Sequence, residues 1–168
     1  MTPPDDTDIA RLTQRLDHLE DVRAIEQLKY RYAALCDDGY DADGIASCFT
    51  EDGRWVVDGE GATLDGREAI RQHFAQLSHR IPWGLHFVTA PQIRIDEDGR
   101  TATGTFYLLC LCTIASSDDS DEKDAVFLTI TYFDHFVKQG DSWLFAELSG
   151  QTHQVSDWRQ GWVAQPFR

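Results

Sequence analysis

The groups able to do acid–base, thiol or metal chemistry in this 168-residue chain are four cysteines, six histidines and an excess of carboxylates. Their spacing excludes several chemistries. Cys36, Cys48, Cys110 and Cys112 contain no Cys-x-x-Cys pair, and Cys110 and Cys112 share one face of a strand, which reads as buried free thiols. No set of His, Asp, Glu or Cys has metal-ligand spacing and no glycine-rich phosphate loop is visible, so neither a metal nor a cofactor is expected. His73 and His79 share a helical stretch with Arg67, Arg71 and Arg80, the composition of a solvated face. Asp134 and His135 point to opposite faces of a strand and cannot cooperate directly. Taken alone, His86 reads as a core histidine satisfied by backbone and Asp37 as a helix-terminal turn residue.

Charge narrows the partners. Fifteen Lys and Arg face 29 Asp and Glu, a formal net charge of -14, so the chain repels the phosphate backbone instead of displacing its counterions. Nucleic acid and anionic membrane surfaces are not expected partners, and a neutral or cationic small molecule fits better. Met1-Thr2-Pro3-Pro4-Asp5-Asp6 lacks the basic and apolar regions of a signal peptide. No stretch reaches the roughly 20 apolar residues of a membrane span, and a cytoplasmic protein is expected. With 168 residues, 42% of them hydrophobic, the chain suits one folded domain over 1–168 rather than two.

The elements that must position these groups follow from periodicity. Thr7 and Asp8 are capping residues, and after them Ile9, Leu12, Leu16, Leu19, Val22, Ile25, Leu28, Tyr32 and Leu35 recur every three or four residues. This predicts a long amphipathic helix with a candidate break at Asp17 to Asp21 and an end at Asp37-Asp38-Gly39. Ala42 to Phe49 reads as a short helix, Thr50-Glu51-Asp52-Gly53 as a turn, and Arg54 to Asp58 as a strand. Asp65-Gly66-Arg67-Glu68 opens a third helix carrying Ile70, Phe74 and Leu77, stopped by Pro82. Leu85 to Ile95, Thr101 to Ile114, Ala125 to Lys138 and Ser142 to Val155 are rich in β-branched and aromatic residues and predict an antiparallel meander. Ser117 to Asp124, with five acidic residues and one Lys, reads as an exposed, mobile hairpin loop. The fold class is α+β: helices on one face of a curved, mainly antiparallel sheet, with a central pocket between them.

Ala24-Ile25-Glu26-Gln27-Leu28-Lys29-Tyr30-Arg31-Tyr32-Ala33-Ala34-Leu35-Cys36-Asp37, followed by Phe49-Thr50-Glu51-Asp52-Gly53-Arg54-Trp55, resembles the opening of SnoaL-like proteins. Gly66-Arg67-Glu68-Ala69-Ile70-Arg71, Leu85-His86-Phe87-Val88-Thr89, Thr101-Ala102-Thr103-Gly104, Tyr132-Phe133-Asp134 and Gly140-Asp141-Ser142-Trp143 follow in the family order. The resemblance implies the cone-shaped sheet of the nuclear-transport-factor-2-like superfamily, its N-terminal helices closing the pocket. That superfamily includes polyketide cyclases, scytalone dehydratase, bile-acid dehydratase, hexachlorocyclohexane dehydrochlorinase, limonene epoxide hydrolase, ketosteroid isomerase and proteins without catalysis. Fold alone does not settle function there.

In the dehydratase and dehydrochlorinase branches, an Asp at the end of the long helix orients a His on the first meander strand, and the His removes a proton from carbon. The matching positions are Asp37 and His86, with Asp38 an alternative carboxylate because helix-end register is open by a residue or two. A carboxylate on one ring nitrogen fixes the tautomer, frees the other nitrogen to accept a proton, and stabilises the imidazolium. Tyr32 matches the dehydratase tyrosine that polarises a carbonyl or assists a leaving hydroxyl, with core packing as its other reading. An ideal helix turns Asp37 away from Tyr32, so their convergence requires the helix end to unwind. The dehydrochlorinase Lys and Arg positions hold Tyr32 and Leu148, which favours loss of water or isomerisation over chloride elimination.

Strand alternation puts Phe106, Leu108, Ile130 and Tyr132, with Trp55, on an apolar pocket wall. Together these residues imply a cofactor-independent lyase, isomerase or cyclase acting on a polycyclic, steroid-like or polyketide-like molecule. The alternative is a non-catalytic ligand-binding protein or an oxygenase small subunit of the same fold. The Thr, Tyr and Leu residues of the outer sheet face predict a homodimer or homotrimer. The tail Ser156 to Arg168, with Trp158, Trp162 and Phe167, is expected to pack over the pocket mouth or onto a neighbouring subunit.

Overall fold

The computed structural model describes residues 5–58, 63–116 and 122–167, so most of the acidic loop read at Ser117 to Asp124 lies outside the described residues. Asp5 accepts a hydrogen bond from the Asp8 amide at 2.8 Å and caps α1 (Asp6–Asp37), in place of Thr7 and Asp8. α1 is one unbroken helix of 32 residues. The expected break at Asp17 to Asp21 is absent because that stretch carries neither proline nor glycine, and Asp21 serves tertiary structure instead. Its Oδ1 accepts from Lys138 Nζ at 2.6 Å and from Trp143 Nε1 at 2.8 Å. Beyond that anchor the helix buries Ile25, Leu28, Lys29, Tyr32, Ala33 and Cys36. Among the described residues no helix is long and apolar enough to cross a membrane.

α2 (Ala42–Ser47) is capped by Asp41, which accepts from the Gly44 amide at 3.1 Å. β1 (Phe49–Val57) starts well before the expected Arg54. The apparent turn at Thr50 to Gly53 is absorbed as a pairing irregularity between Phe49 and Arg54, so its turn-forming residues bend a strand rather than end one. Arg67 fixes the start of that strand by donating to the Phe49 carbonyl at 2.6 and 3.1 Å. An unexpected short strand, β2 (Thr63–Asp65), pairs with β1 and leads into α3 (Arg67–Arg80).

The meander consists of β3 (Trp83–Ile95), β4 (Thr101–Ala115), β5 (Lys123–Gln139) and β6 (Ser142–Asp157), and a single-turn α4 (Gly161–Ala164) follows. All six strands form one sheet in the order β2-β1-β6-β5-β4-β3. Every neighbouring pair is antiparallel except β1 with β6, which is parallel. Register shifts with extra residues in β3 and β6 bend the sheet into its open curve. Inward side chains such as Phe106, Leu108, Cys110, Tyr132 and Phe136 join the buried face of α1 in one core, and all four cysteines are buried free thiols.

Candidate active site

A carboxylate in the last turn of a helix faces the negative end of the peptide dipoles and is unfavourable there unless donors compensate. Asp37, the last residue of α1, meets two. Its Oδ1 accepts from the His86 main-chain N–H at 2.9 Å and lies 2.7 Å from His86 Nδ1. A carboxylate only accepts, so this network assigns the proton to Nδ1 and leaves the Nε2 lone pair free. Burial lowers the His86 pKa against the opposing pull of Asp37, with a smaller lowering by the charge of Lys29, so the ring is neutral at pH 7.

The helix does not unwind to reach this geometry. Asp37 is still helical, and Asp38, whose amide bonds the Ala34 carbonyl at 3.0 Å, is the residue that leaves the helix. β3 comes to the helix end and brings His86 with it, opposite Cys110 of β4. Asp37 therefore stands behind the ring instead of on the cavity wall. Gly39 and then Tyr40 adopt positive φ, 66° and 59°, the second a strained conformation for a non-glycine residue. That turn swings Tyr40 inward, edge-on to His86 with ring centres 6.0 Å apart and stacked on Phe74.

A cavity of about 880 Å³ opens between the helices and the concave face of the sheet. His86, Tyr32, Cys36, Tyr40, Trp55, Leu108, Ile130 and Tyr132 are all on its wall, so the expected Tyr32, Trp55, Leu108, Ile130 and Tyr132 meet the ring of His86 around one space. The Tyr32 hydroxyl accepts from Trp55 Nε1 at 3.0 Å and donates toward the Cys36 thiol, a weak acceptor that a ligand oxygen on the same wall can replace. Burial raises the Tyr32 pKa, so it stays a neutral donor, and burial likewise raises the Cys36 thiol, which is not a thiolate nucleophile.

Two expectations are corrected. Phe106 does not line the cavity, because its ring packs 6.5 Å from Phe136 and 5.2 Å from Lys29 Nζ, in a part of the concave face that Lys29 fills. His73 is not on a solvated face either. It is half-buried, with its ring 5.2 Å from that of Trp55, since α3 lays this side against β1. Phe167 joins the lining, held by the Val155 amide donating to the Pro166 carbonyl at 2.9 Å. Trp158 and Trp162 pack edge-on against Phe127, at 6.0 and 5.4 Å.

The SnoaL-like domain profile matches residues 17–149, which is most of the chain. This protein belongs to the SnoaL-like family. A hexachlorocyclohexane dehydrochlorinase structure superposes with a TM-score of 0.75 at 19% identity, covering 85% of this chain and 92% of that one. A scytalone-dehydratase-like protein from Novosphingobium aromaticivorans gives 0.74 at 20%, covering 84% and 90%. A protein from the same organism described as an aromatic ring hydroxylase gives 0.72 at 23%, covering 83% and 94%. At these identities the likeness carries the fold. No curated protein matches the sequence.

Within this SnoaL-like cone lies a pair that sequence reasoning missed. Lys29 of α1 and Asp134 of β5, both fully buried, form an ion pair at 2.8 Å, and Lys29 Nζ stands 3.3 Å from the centre of the Tyr132 ring. Burial lowers the Lys29 pKa despite Asp134, and burial pushes the Asp134 carboxyl up to about 6 despite Lys29. The signal was in the sequence, since Lys29 falls on the buried stripe of α1 beside Leu28 and Tyr32. Among the described residues no three His, Cys, Asp or Glu side chains group as a metal site.

Proposed function

We propose that this protein is a cofactor-independent lyase of the dehydratase type, acting on a small, mostly apolar, polycyclic hydroxy-ketone of steroid-like or polyketide-like shape. The observation that carries the reading is a neutral cavity-wall histidine whose Nδ1 is 2.7 Å from a carboxylate. His86 Nε2 takes a proton from the carbon next to the carbonyl, Asp37 stabilises the imidazolium, and Tyr32 donates to the substrate oxygen that gains charge. The C–H pair becomes the new C=C bond, the C–O bond breaks, and the proton held by His86 leaves with the hydroxyl as water. A cavity of about 880 Å³ has room for several fused rings. The test is incubation with polycyclic β-hydroxy ketones while watching the absorbance of the conjugated enone. Binding that quenches Trp55 fluorescence without turnover of any of them would favour the ligand-binding alternative.

Tyr32→Phe is expected to slow turnover by about 1–2 kcal/mol, the worth of one hydrogen bond to the reacting oxygen. It also leaves Trp55 Nε1 without its acceptor, so unfolding should be measured beside the rate. An unchanged kcat with lower stability would reduce Tyr32 to a packing residue.

We further propose that subunits associate through the outer sheet face. Phe87 and Leu109 are direct cross-strand neighbours there, with Leu85, Tyr107 and Phe133 around them, all exposed. Sedimentation at micromolar concentration is expected to give a dimer or trimer, and Phe87→Glu with Leu109→Glu to lower that mass. A wild-type chain that runs only as the 19.1 kDa monomer would rule this interface out.

A further inference from the structure

The N-terminal part of α1 stands clear of the domain. From Asp6 to Glu20 every residue except Asp8 is exposed, and the body first grips the helix at Asp21 through Lys138 and Trp143. Fifteen residues make an arm of about 22 Å. A lone helix of that length is marginal in water, because the cost of nucleation is offset only by packing. The arm nevertheless has an exposed apolar seam. Ile9, Leu12, Leu16 and Leu19 recur at steps of three, four and three residues and are 50% to 63% exposed. Apart from Ala10, the remaining arm residues are polar or charged.

These steps are those of the a and d positions of two heptads, with Ile9 and Leu16 at a and Leu12 and Leu19 at d. We infer that the arm pairs in parallel with the arm of a second copy of this chain, as a short two-stranded coiled coil. The flanking charges select both the partner and its direction. In a parallel pair each g residue lies beside the e residue five positions later on the other helix, so Arg15 meets Glu20 of the second copy, twice by symmetry. Among the described residues neither has an ion-pair partner within its own chain. The other flanking pair, Asp8 with Thr13, is not repulsive. An antiparallel pair, with Ile9 against Leu19, would instead set Arg15 beside its own copy. Exposed ion pairs contribute little affinity, so the apolar seam drives association and the charges set its direction.

Symmetry makes the test direct, since in a parallel coil every residue faces its own copy across the seam. Leu16→Cys, oxidised mildly at tens of micromolar protein, is expected to form a covalent dimer at least about tenfold more than Gln14→Cys, which lies on the outer side of the arm. The four native thiols are buried, so the unsubstituted chain supplies the baseline. Adding Arg15→Glu should cut that cross-linking several-fold, and adding Glu20→Arg as well should restore it. The substituted positions are exposed in the single chain, so all these variants should keep the wild-type melting midpoint. Cross-linking of Leu16→Cys no greater than that of Gln14→Cys would overturn the inference, including the case in which copies associate only through their sheets. Dimers that form only when Leu12→Cys chains are mixed with Leu16→Cys chains would overturn it too, by showing an antiparallel pair.

Discussion

His86→Ala is expected to lower turnover by roughly 100-fold to 10,000-fold while the fold survives, because the proposed reaction uses the ring as proton acceptor and the ring lines a cavity that tolerates its loss. Asp37→Asn is expected to be milder. Both hydrogen bonds from His86 end on the same atom, Asp37 Oδ1, so an asparagine oxygen in that place keeps the Nδ1–H tautomer and removes only the charge that stabilises the imidazolium. A loss of about 10-fold to 100-fold follows, on the scale of one to two pKa units. The double variant should be no slower than His86→Ala alone, since the two residues act as one unit. Additive losses would contradict the dyad.

The pH profile separates this chemistry from simple loss of packing. Burial holds the His86 pKa below its ordinary value, so wild-type turnover should rise through an acid limb below pH 6.5 and be flat at neutral pH. Asp37 is the group that pulls this pKa upward, so Asp37→Asn should move the limb to lower pH. The same depression bears on stability. The unfolded chain takes up a proton on His86 at higher pH than the folded one does, so the contribution is complete above about pH 6.5 and is lost as the pH falls toward the folded value. A limb that stays in place in Asp37→Asn would assign it to another group.

How far such detail is legible beforehand depends on which force decides each position. The meander strands and the end of α1 at Asp37 follow from β-branched runs, turn residues and helical periodicity, because burial of one face determines them. The start of β1 is not legible at Thr50 to Gly53, where a turn-like run sits inside a strand; pairing with β6 and the Arg67 contact to Phe49 override local preference. Phe106 and Leu108 share a face by alternation, yet only Leu108 reaches the cavity, since the depth of the cavity along β4 is set by Lys29 on another element. The candidate break at Asp17 to Asp21 does not occur, and the donors to Asp21 that anchor the helix there come from more than 100 residues away, beyond the reach of local pattern.

Lys29→Met is expected to destabilise the fold by about 3–5 kcal/mol at pH 7, more than any other single substitution proposed for this chain. Methionine fills the space of the lysine stem but leaves the Asp134 carboxylate, wholly buried, without its counter-ion. Asp134→Leu on top of Lys29→Met should recover most of that loss, because an apolar pair of similar volume removes both desolvation costs. The pH dependence has a definite sign. Burial already raises the folded Asp134 carboxyl from its ordinary 3.8 to about 6, and removal of Lys29 raises it further. A raised carboxyl binds its proton more tightly folded than unfolded, so stability is lost as pH rises above the unfolded value. The deficit of Lys29→Met should therefore shrink as the pH is lowered toward 4, where the carboxyl is neutral in both proteins. Urea unfolding at pH 7 and pH 5 measures this. A single variant within 1 kcal/mol of wild type at pH 7, or a deficit that grows in acid, would mean that the pair does not hold its charges in the core. The cavity wall rests on the same pair, since the Lys29 ammonium lies against the Tyr132 ring that lines the cavity, and the paired but not the single replacement should restore ligand binding with stability.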